Sequence, residues 1–414
     1  MSDVGCPATV VAVTRHTAAT LLTVALLVVA GCSAPSGPSP TPEPATDAPT
    51  DGPTATPTPT PDGGITVYGD LSVNATLVWN RVESILGGEY DPPAVSVRDG
   101  ALEPQAAGFA AHLGLDRGVE TFDKGRVRAS YFQRTGRVRI SPRNGSTAQV
   151  TRILAHEYVH AVQFRQVDGN RTEFLDRISR RDSLGIQRTL IEGSAVAVED
   201  AYTREYLGFS AIERRCTEYR NGTPYERYAG QAYCFGGRYF AETLDSPSEV
   251  LTPNTTLPNT TEQLLHPETT GQPANLTVVD ETPTDWHTPA SFDRQGELFV
   301  RTVLGTELPE ERAAEAAAGW GNDRLVTVTG DTEGYIWVLR WDSDADAAEF
   351  ERAFADYLDA RGNRTADGWR AEGEQYRLTA VDDRTVAVVI GNGTFLDAVT
   401  VTQRDGKVSV STES

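Results

Sequence analysis

The run Ile153-Leu154-Ala155-His156-Glu157-Tyr158-Val159-His160-Ala161-Val162 sets two histidines four residues apart inside an apolar segment. On a helix that spacing puts His156 and His160 on one face, where both rings can reach a single metal ion. Glu157, beside the first histidine, can reach a water on that metal, so the pattern is that of a hydrolytic H-E-x-x-H site. Chance is a weak explanation. With 6 histidines in 414 residues, such a pattern arises on the order of once in a hundred chains of this composition. A third ligand must come from elsewhere in the chain.

Working outward, residues 147–166 carry the motif helix, ended by Asp168-Gly169-Asn170. Residues 127–132 and 137–141 are β-rich runs either side of Arg134-Thr135-Gly136, which predicts a hairpin just before that helix. Residues 184–207 repeat at helical spacing and carry Glu192, Ala195, Glu199 and Tyr202; residues 231–244 form a third helical stretch with Cys234 inside it. Residues 251–289 are rich in Thr and Pro and are expected to be irregular, and residues 292–304 return to a helical pattern. Beyond Gly319-Trp320-Gly321 the pattern changes to strands 325–329 and 335–341, an amphipathic helix 345–361, and strands 376–381 and 385–390. The expected fold class is α+β. It comprises a domain over residues 65–318 and a small C-terminal α+β module over residues 319–414, whose Trp320, Trp337, Trp341 and Phe350 are core residues.

Composition narrows the partners. An excess of 58 acidic over 37 basic residues gives a formal charge of −21, which repels phosphate backbones and argues against nucleic acid. Only Lys124 and Lys407 are lysines. A large acidic excess with almost no lysine resembles the composition of haloarchaeal proteins, whose self-repulsion is screened by molar salt.

The N-terminus reads as a targeting segment. Residues 18–30 are apolar apart from Thr20 and Thr23, follow Arg15 and His16, and are too short to span a bilayer, as in a signal peptide over residues 1–31. Val29-Ala30-Gly31-Cys32 resembles a lipobox, which implies cleavage before a lipidated Cys32. Residues 32–64 are nearly all Pro, Thr, Ser, Ala, Gly and Asp, and are expected to form an extended spacer. The remainder is then expected on the extracellular face of the cell membrane, held by the lipid anchor. Export agrees with N-x-[ST] sequons at Asn74, Asn144, Asn170, Asn221, Asn254, Asn259, Asn275, Asn363 and Asn392, sites open to glycosylation on an exported chain. With Cys6 and Cys32 in the targeting region, Cys216 and Cys234 are the cysteines left for the folded part, and a disulfide between them is expected.

The third ligand decides the subclass of the H-E-x-x-H site. A metzincin would need glycine at 163 and histidine at 166, where Gln163 and Gln166 stand. Glu192, in Leu190-Ile191-Glu192-Gly193-Ser194-Ala195, lies 32 residues beyond His160 on the next long helix, with Glu199 and Asp200 as nearby competitors. Here the chain resembles the gluzincin class of zinc metallopeptidases, whose third ligand is a glutamate on a helix packed beside the motif helix. The resemblance covers about residues 128–305 and is specific at His156, Glu157 and His160. It implies a zincin-like domain with Zn²⁺ held by His156, His160 and Glu192, and with Glu157 as the general base for hydrolysis of a peptide or protein substrate. It also implies that Gly193 and Ala195 let the helices approach closely.

A hydrolase of this kind needs a donor for the oxyanion of its tetrahedral intermediate. Thr261-Glu262-Gln263-Leu264-Leu265-His266-Pro267 resembles a segment of certain H-E-x-x-H proteins and makes His266 the candidate, with His287, Tyr202 and Tyr206 as rivals. Strand 137–141 is expected to occupy the place of the zincin edge strand, where an extended substrate can pair. The alternative expectation is a surface or adhesion protein that keeps the zincin fold without turnover. Glu157 argues against it, because a purely structural zinc site has no use for a general base.

Overall fold

The two β-rich runs beside Gly136 do form a hairpin, in a computed structural model that describes residues 64–98, 108–122, 126–167, 170–181, 183–252, 256–282, 294–329 and 333–412. The signal segment, Cys32, the spacer before Gly64, and His287 lie outside the described residues. Chain order begins β1 (Val67–Tyr68), α1 (Ala75–Leu86), β2 (Ala94–Val97), α2 (Phe109–His112), α3 (Val119–Phe122), β3 (Arg128–Phe132), β4 (Arg137–Ser141) and α4 (Thr147–Gln163). The sheet runs β1-β2-β4-β3, parallel except for the last strand.

That order corrects one expectation. Strand 137–141 is not the edge: β4 lies between β2 and β3, and β3 is the antiparallel edge strand. A tight hairpin through Gly136, with its positive φ, leaves β3 outermost once β4 has paired with β2. Val138 and Ile140 of β4 are buried in the same core as Val82 of α1 and Val150, Leu154 and Tyr158 of α4.

A capping box between Ser146 and Gln149 starts α4. There follow the small hairpin β5 (Gln166–Val167) and β6 (Asn170–Arg171), then α5 (Glu173–Ser179), α6 (Leu184–Tyr206), α7 (Ala211–Asn221), α8 (Pro224–Thr243), a 3₁₀ turn over Pro247–Leu251, and α9 (Thr261–Leu265). α6 is buried almost all round, with α4 on one side and α8 on another. Gly193 does allow a close approach, but to α8: a Cβ there would lie 2.4 Å from the Gly236 carbonyl carbon. The Cys216–Cys234 disulfide is present and ties α7 to α8.

The rest comprises β7 (Val278–Asp280), α10 (Glu297–Leu304), α11 (Glu310–Glu315), β8 (Trp320–Thr329), β9 (Glu333–Trp341), α12 (Asp344–Arg361), β10 (Asn363–Arg364), β11 (Trp369–Ala371), β12 (Glu374–Asp382), β13 (Thr385–Gly391), α13 (Gly393–Ala398), β14 (Val399–Arg404) and β15 (Lys407–Thr412). The larger sheet is antiparallel in the order β10-β11-β12-β13-β9-β8; the smaller, β14-β15-β7, takes its parallel strand β7 from the Thr/Pro-rich region. Period-two alternation buries both faces of the larger sheet. Tyr335, Trp337, Leu339 and Trp341 of β9 pack toward Phe350 and Phe354 of α12, while Ile336 and Val338 pack toward Val401 and Val410 of the smaller sheet.

The α+β class holds across the described residues, and Trp320, Trp337, Trp341 and Phe350 are all core residues. The module's core reaches beyond residue 319, however. Phe109 and Leu113 near α2, and Phe299, Val300 and Val303 of α10, belong to it, while Leu298 of α10 belongs to the core around α4 and α6. Sequential reading misses this because α10 is apolar on two faces and joins two cores. Among the described residues no helix is long and apolar enough to cross a membrane.

Candidate metal centre

One turn of α4 brings the His156 and His160 rings to 4.7 Å between centroids. Their Nε2 atoms are 3.1 Å apart, and Oε2 of Glu192 on α6 lies 3.3 Å from each. All three side chains are buried. Bonds of about 2.0–2.1 Å to the corners of a tetrahedron put those corners about 3.3 Å apart. The three donor atoms thus form one face of such a tetrahedron and could hold a metal ion with a fourth position open.

The remaining nitrogen of each ring is fixed from behind, which aims Nε2 at Glu192. Nδ1 of His156 lies 2.9 Å from Oε2 of Glu199, and Glu199 accepts from Arg152 at 2.8 Å and from Arg215 at 3.3 Å. Nδ1 of His160 lies 2.6 Å from Oε1 of Gln163, whose amide donates to the Ile191 carbonyl at 3.0 Å and to Ser194 Oγ at 2.8 Å. Gln163, read from sequence only as the residue that rules out a metzincin, therefore clamps α4 to α6 behind the donors.

The charges are mutually arranged. Burial opposes ionisation of Glu192, yet the His160 and His156 rings hold its carboxyl well below the usual range. Burial also opposes charge on His156, but hydrogen bonds to Glu192 and Glu199 push it up to about 9. Glu199, despite its burial, is held strongly acidic by Arg215 and Arg152. Carboxylates converging on the imidazoles in a dry site favour a cation between them.

Glu157 is buried, and its Oε2 has no hydrogen-bond partner among the described residues. Burial raises its carboxyl, against the opposing charges of His160 and His156. With both histidines it lines a cavity of about 480 Å³, walled by Arg128, Ala129 and Ser130 of β3 and by Arg188, Gly230 and Tyr233. The edge strand thus runs along the cavity.

Of the other candidates, Asp200 serves the fold: it accepts from Ser210 Oγ at 2.6 Å and from the Ile212 amide at 3.0 Å, anchoring α7. Tyr202 and Tyr206 meet Arg81 instead of the cavity, Tyr202 by a hydrogen bond of 3.4 Å and Tyr206 through its ring face. His266 lies apart from the cluster. Its Nε2 lies 2.9 Å from the buried carboxylate of Glu297 on α10, which raises its pKa, and it takes no part in the cavity lining. Its physical setting is the junction with the C-terminal module.

Tyr233 on α8 is the residue that sequence reading missed. Its ring lies 5.6 Å from that of His156, with the Arg215 guanidinium 4.8 Å from its centroid. Burial pushes its hydroxyl pKa far up, which keeps the proton available for donation. Its neighbour Cys234, locked to α7 by the disulfide, was the available signal.

In comparison with known proteins, no curated protein and no solved structure matches the chain. A family described as a domain of unknown function, DUF8575, matches residues 287–403, which span α10 to β14 and exclude His156, His160 and Glu192.

Proposed function

We propose that this chain is a zinc-dependent peptidase of the gluzincin type, working on the outer face of the cell membrane and tethered there by a lipidated Cys32 and the Pro/Thr-rich spacer. The observation that carries this reading is a three-donor cluster, His156, His160 and Glu192, whose two histidines line the same cavity as the buried and incompletely bonded carboxylate of Glu157. A closed structural site would have four protein ligands and no use for a base. The His/His/Glu set suits zinc, which when bound supplies Lewis acidity and eases the ionisation of water at its open position.

Glu157 takes a proton from the attacking water as the water oxygen bonds to the peptide carbonyl carbon. It then delivers that proton to the leaving nitrogen as the C–N bond breaks. Its raised pKa suits such two-way transfer. The Tyr233 hydroxyl donates to the carbonyl oxygen as negative charge develops there. The exposed edge of β3 offers backbone groups to an extended substrate, as in strand addition to a sheet. The rival reading, a surface protein without turnover, gives Glu157 no role.

The test is Glu157→Gln in the purified full chain. The variant is expected to retain zinc and to lose roughly 10²–10⁴-fold in peptide hydrolysis. Cleavage at the unmodified rate would sink the mechanism.

A further inference from the structure

The acidic chain encloses a basic cavity. Although the formal charge is −21, the cavity is lined by Arg126, Arg128, Arg152, Arg188, Arg214 and Arg215. Several of these are already committed: Arg126 to Glu226, Arg152 and Arg215 to Glu199, and Arg214 to Glu218. Arg188 differs. It donates to the Ala229 carbonyl at 3.1 Å, and no carboxylate lies within ion-pair distance of it among the described residues. Burial opposes its charge, the nearby Tyr233 and Glu192 side chains favour it, and its planar donors, bonded only to that carbonyl among the described residues, match a carboxylate.

Arg188 also has a defined place. It precedes Glu192 by one turn of α6, about 6 Å along the helix axis, and so lies on the face that carries the metal ligand. An extended peptide advances about 3.3 Å per residue. A group bound by Arg188 would therefore sit within a residue or two of the bond facing the metal cluster.

Resting on the peptidase reading above, we propose that Arg188 is a specificity-determining residue that selects peptides carrying a carboxylate close to the cleaved bond. That carboxylate belongs to an acidic side chain or to the C-terminus. The arginine-rich lining draws such substrates in, and the acidic exterior repels them elsewhere.

The experiment measures binding without turnover. Full-length protein carrying Glu157→Gln is titrated, at one fixed ionic strength, with three fluorescent hexapeptides: one with a central Glu and an amidated end, its Gln isostere, and the Gln peptide with a free C-terminus. A carboxylate peptide is expected to bind about tenfold or more tightly than the fully neutral one, and the better of the two identifies the source. Adding Arg188→Gln is expected to abolish the difference, while Arg188→Lys keeps part of it. Equal binding of all three peptides, or no binding of either carboxylate peptide, overturns the proposal without relying on a variant that must fold. A preference that survives Arg188→Gln in zinc-replete protein also overturns it. Cleavage by protein with Glu157 intact is scored separately. Carboxylate-selective binding without cleavage overturns the peptidase reading alone, and equal cleavage of all three peptides overturns the Arg188 assignment alone.

Discussion

Glu199 holds Nδ1 of His156 at 2.9 Å from a position two helical turns beyond the candidate metal ligand Glu192 on the same helix. In the proposed centre α6 thus supplies both a ligand and the support for another ligand. Glu199→Gln is expected to weaken metal binding by about 10- to 100-fold, measured by chelator competition. It should also lower stability, because Arg152 and Arg215 lose their buried counter-ion. Unchanged metal affinity would show that His156 needs no such support.

In the proposed mechanism Tyr233 takes the oxyanion-donor role for which the sequence alone offers His266. Tyr233→Phe should lower kcat by about 10²–10³-fold with little change in KM, as for loss of one oxyanion donor. His266→Ala should leave kcat intact and act on stability, since it strips a partner from buried Glu297. Steady-state kinetics on both variants separates the two assignments, and the reverse pattern would restore His266.

The Gly193–Gly236 contact has no room for a methyl group, because the atoms in the way are backbone. Gly193→Ala should cost about 1–3 kcal/mol or more in unfolding free energy, read from denaturant midpoints. The change sits next to Glu192, so metal affinity should fall with it. A variant as stable as the unmodified protein would show that α6 and α8 can separate freely.

Asp323 provides a pH signature. It is fully buried, accepting from the Gln295 and Gly296 amides and from Trp320 Nε1, and burial pushes its carboxyl up from 3.8 to about 6. The folded state then binds a proton more tightly than the unfolded chain, so this residue's contribution to stability falls as pH rises from about 4 to 6. The loss is on the order of 3 kcal/mol at most. Asp323→Asn should remove that part of the slope, and parallel stability–pH curves for the two proteins would refute the assignment.

The motif helix, the hairpin, the long helix bearing Glu192 and the Cys216–Cys234 pair were legible because each rests on local signals: periodicity, a glycine turn, the parity of the cysteines in the folded part. Strands of the C-terminal module were legible for the same reason, through the alternation in β9 and β13. What escaped depends on tertiary placement. Which hairpin strand lies at the edge is set by the pairing of β4 with β2, whose partners, such as Ala94 and Arg137, are 43 residues apart. The roles of Gln163, Glu199 and Tyr233 arise where α4, α6 and α8 converge, and the extent of the module's core depends on an α10 that faces two ways. That His266 sits away from the cavity was not legible, because a short motif carries no information about the face to which its helix turns.

The most direct test is the zinc content of the full chain, purified in high salt, beside that of its Glu192→Ala variant. The expected result is one zinc per chain, lost or sharply weakened in the variant. No zinc in either protein after reconstitution, or equal zinc in both, would contradict the His156–His160–Glu192 centre.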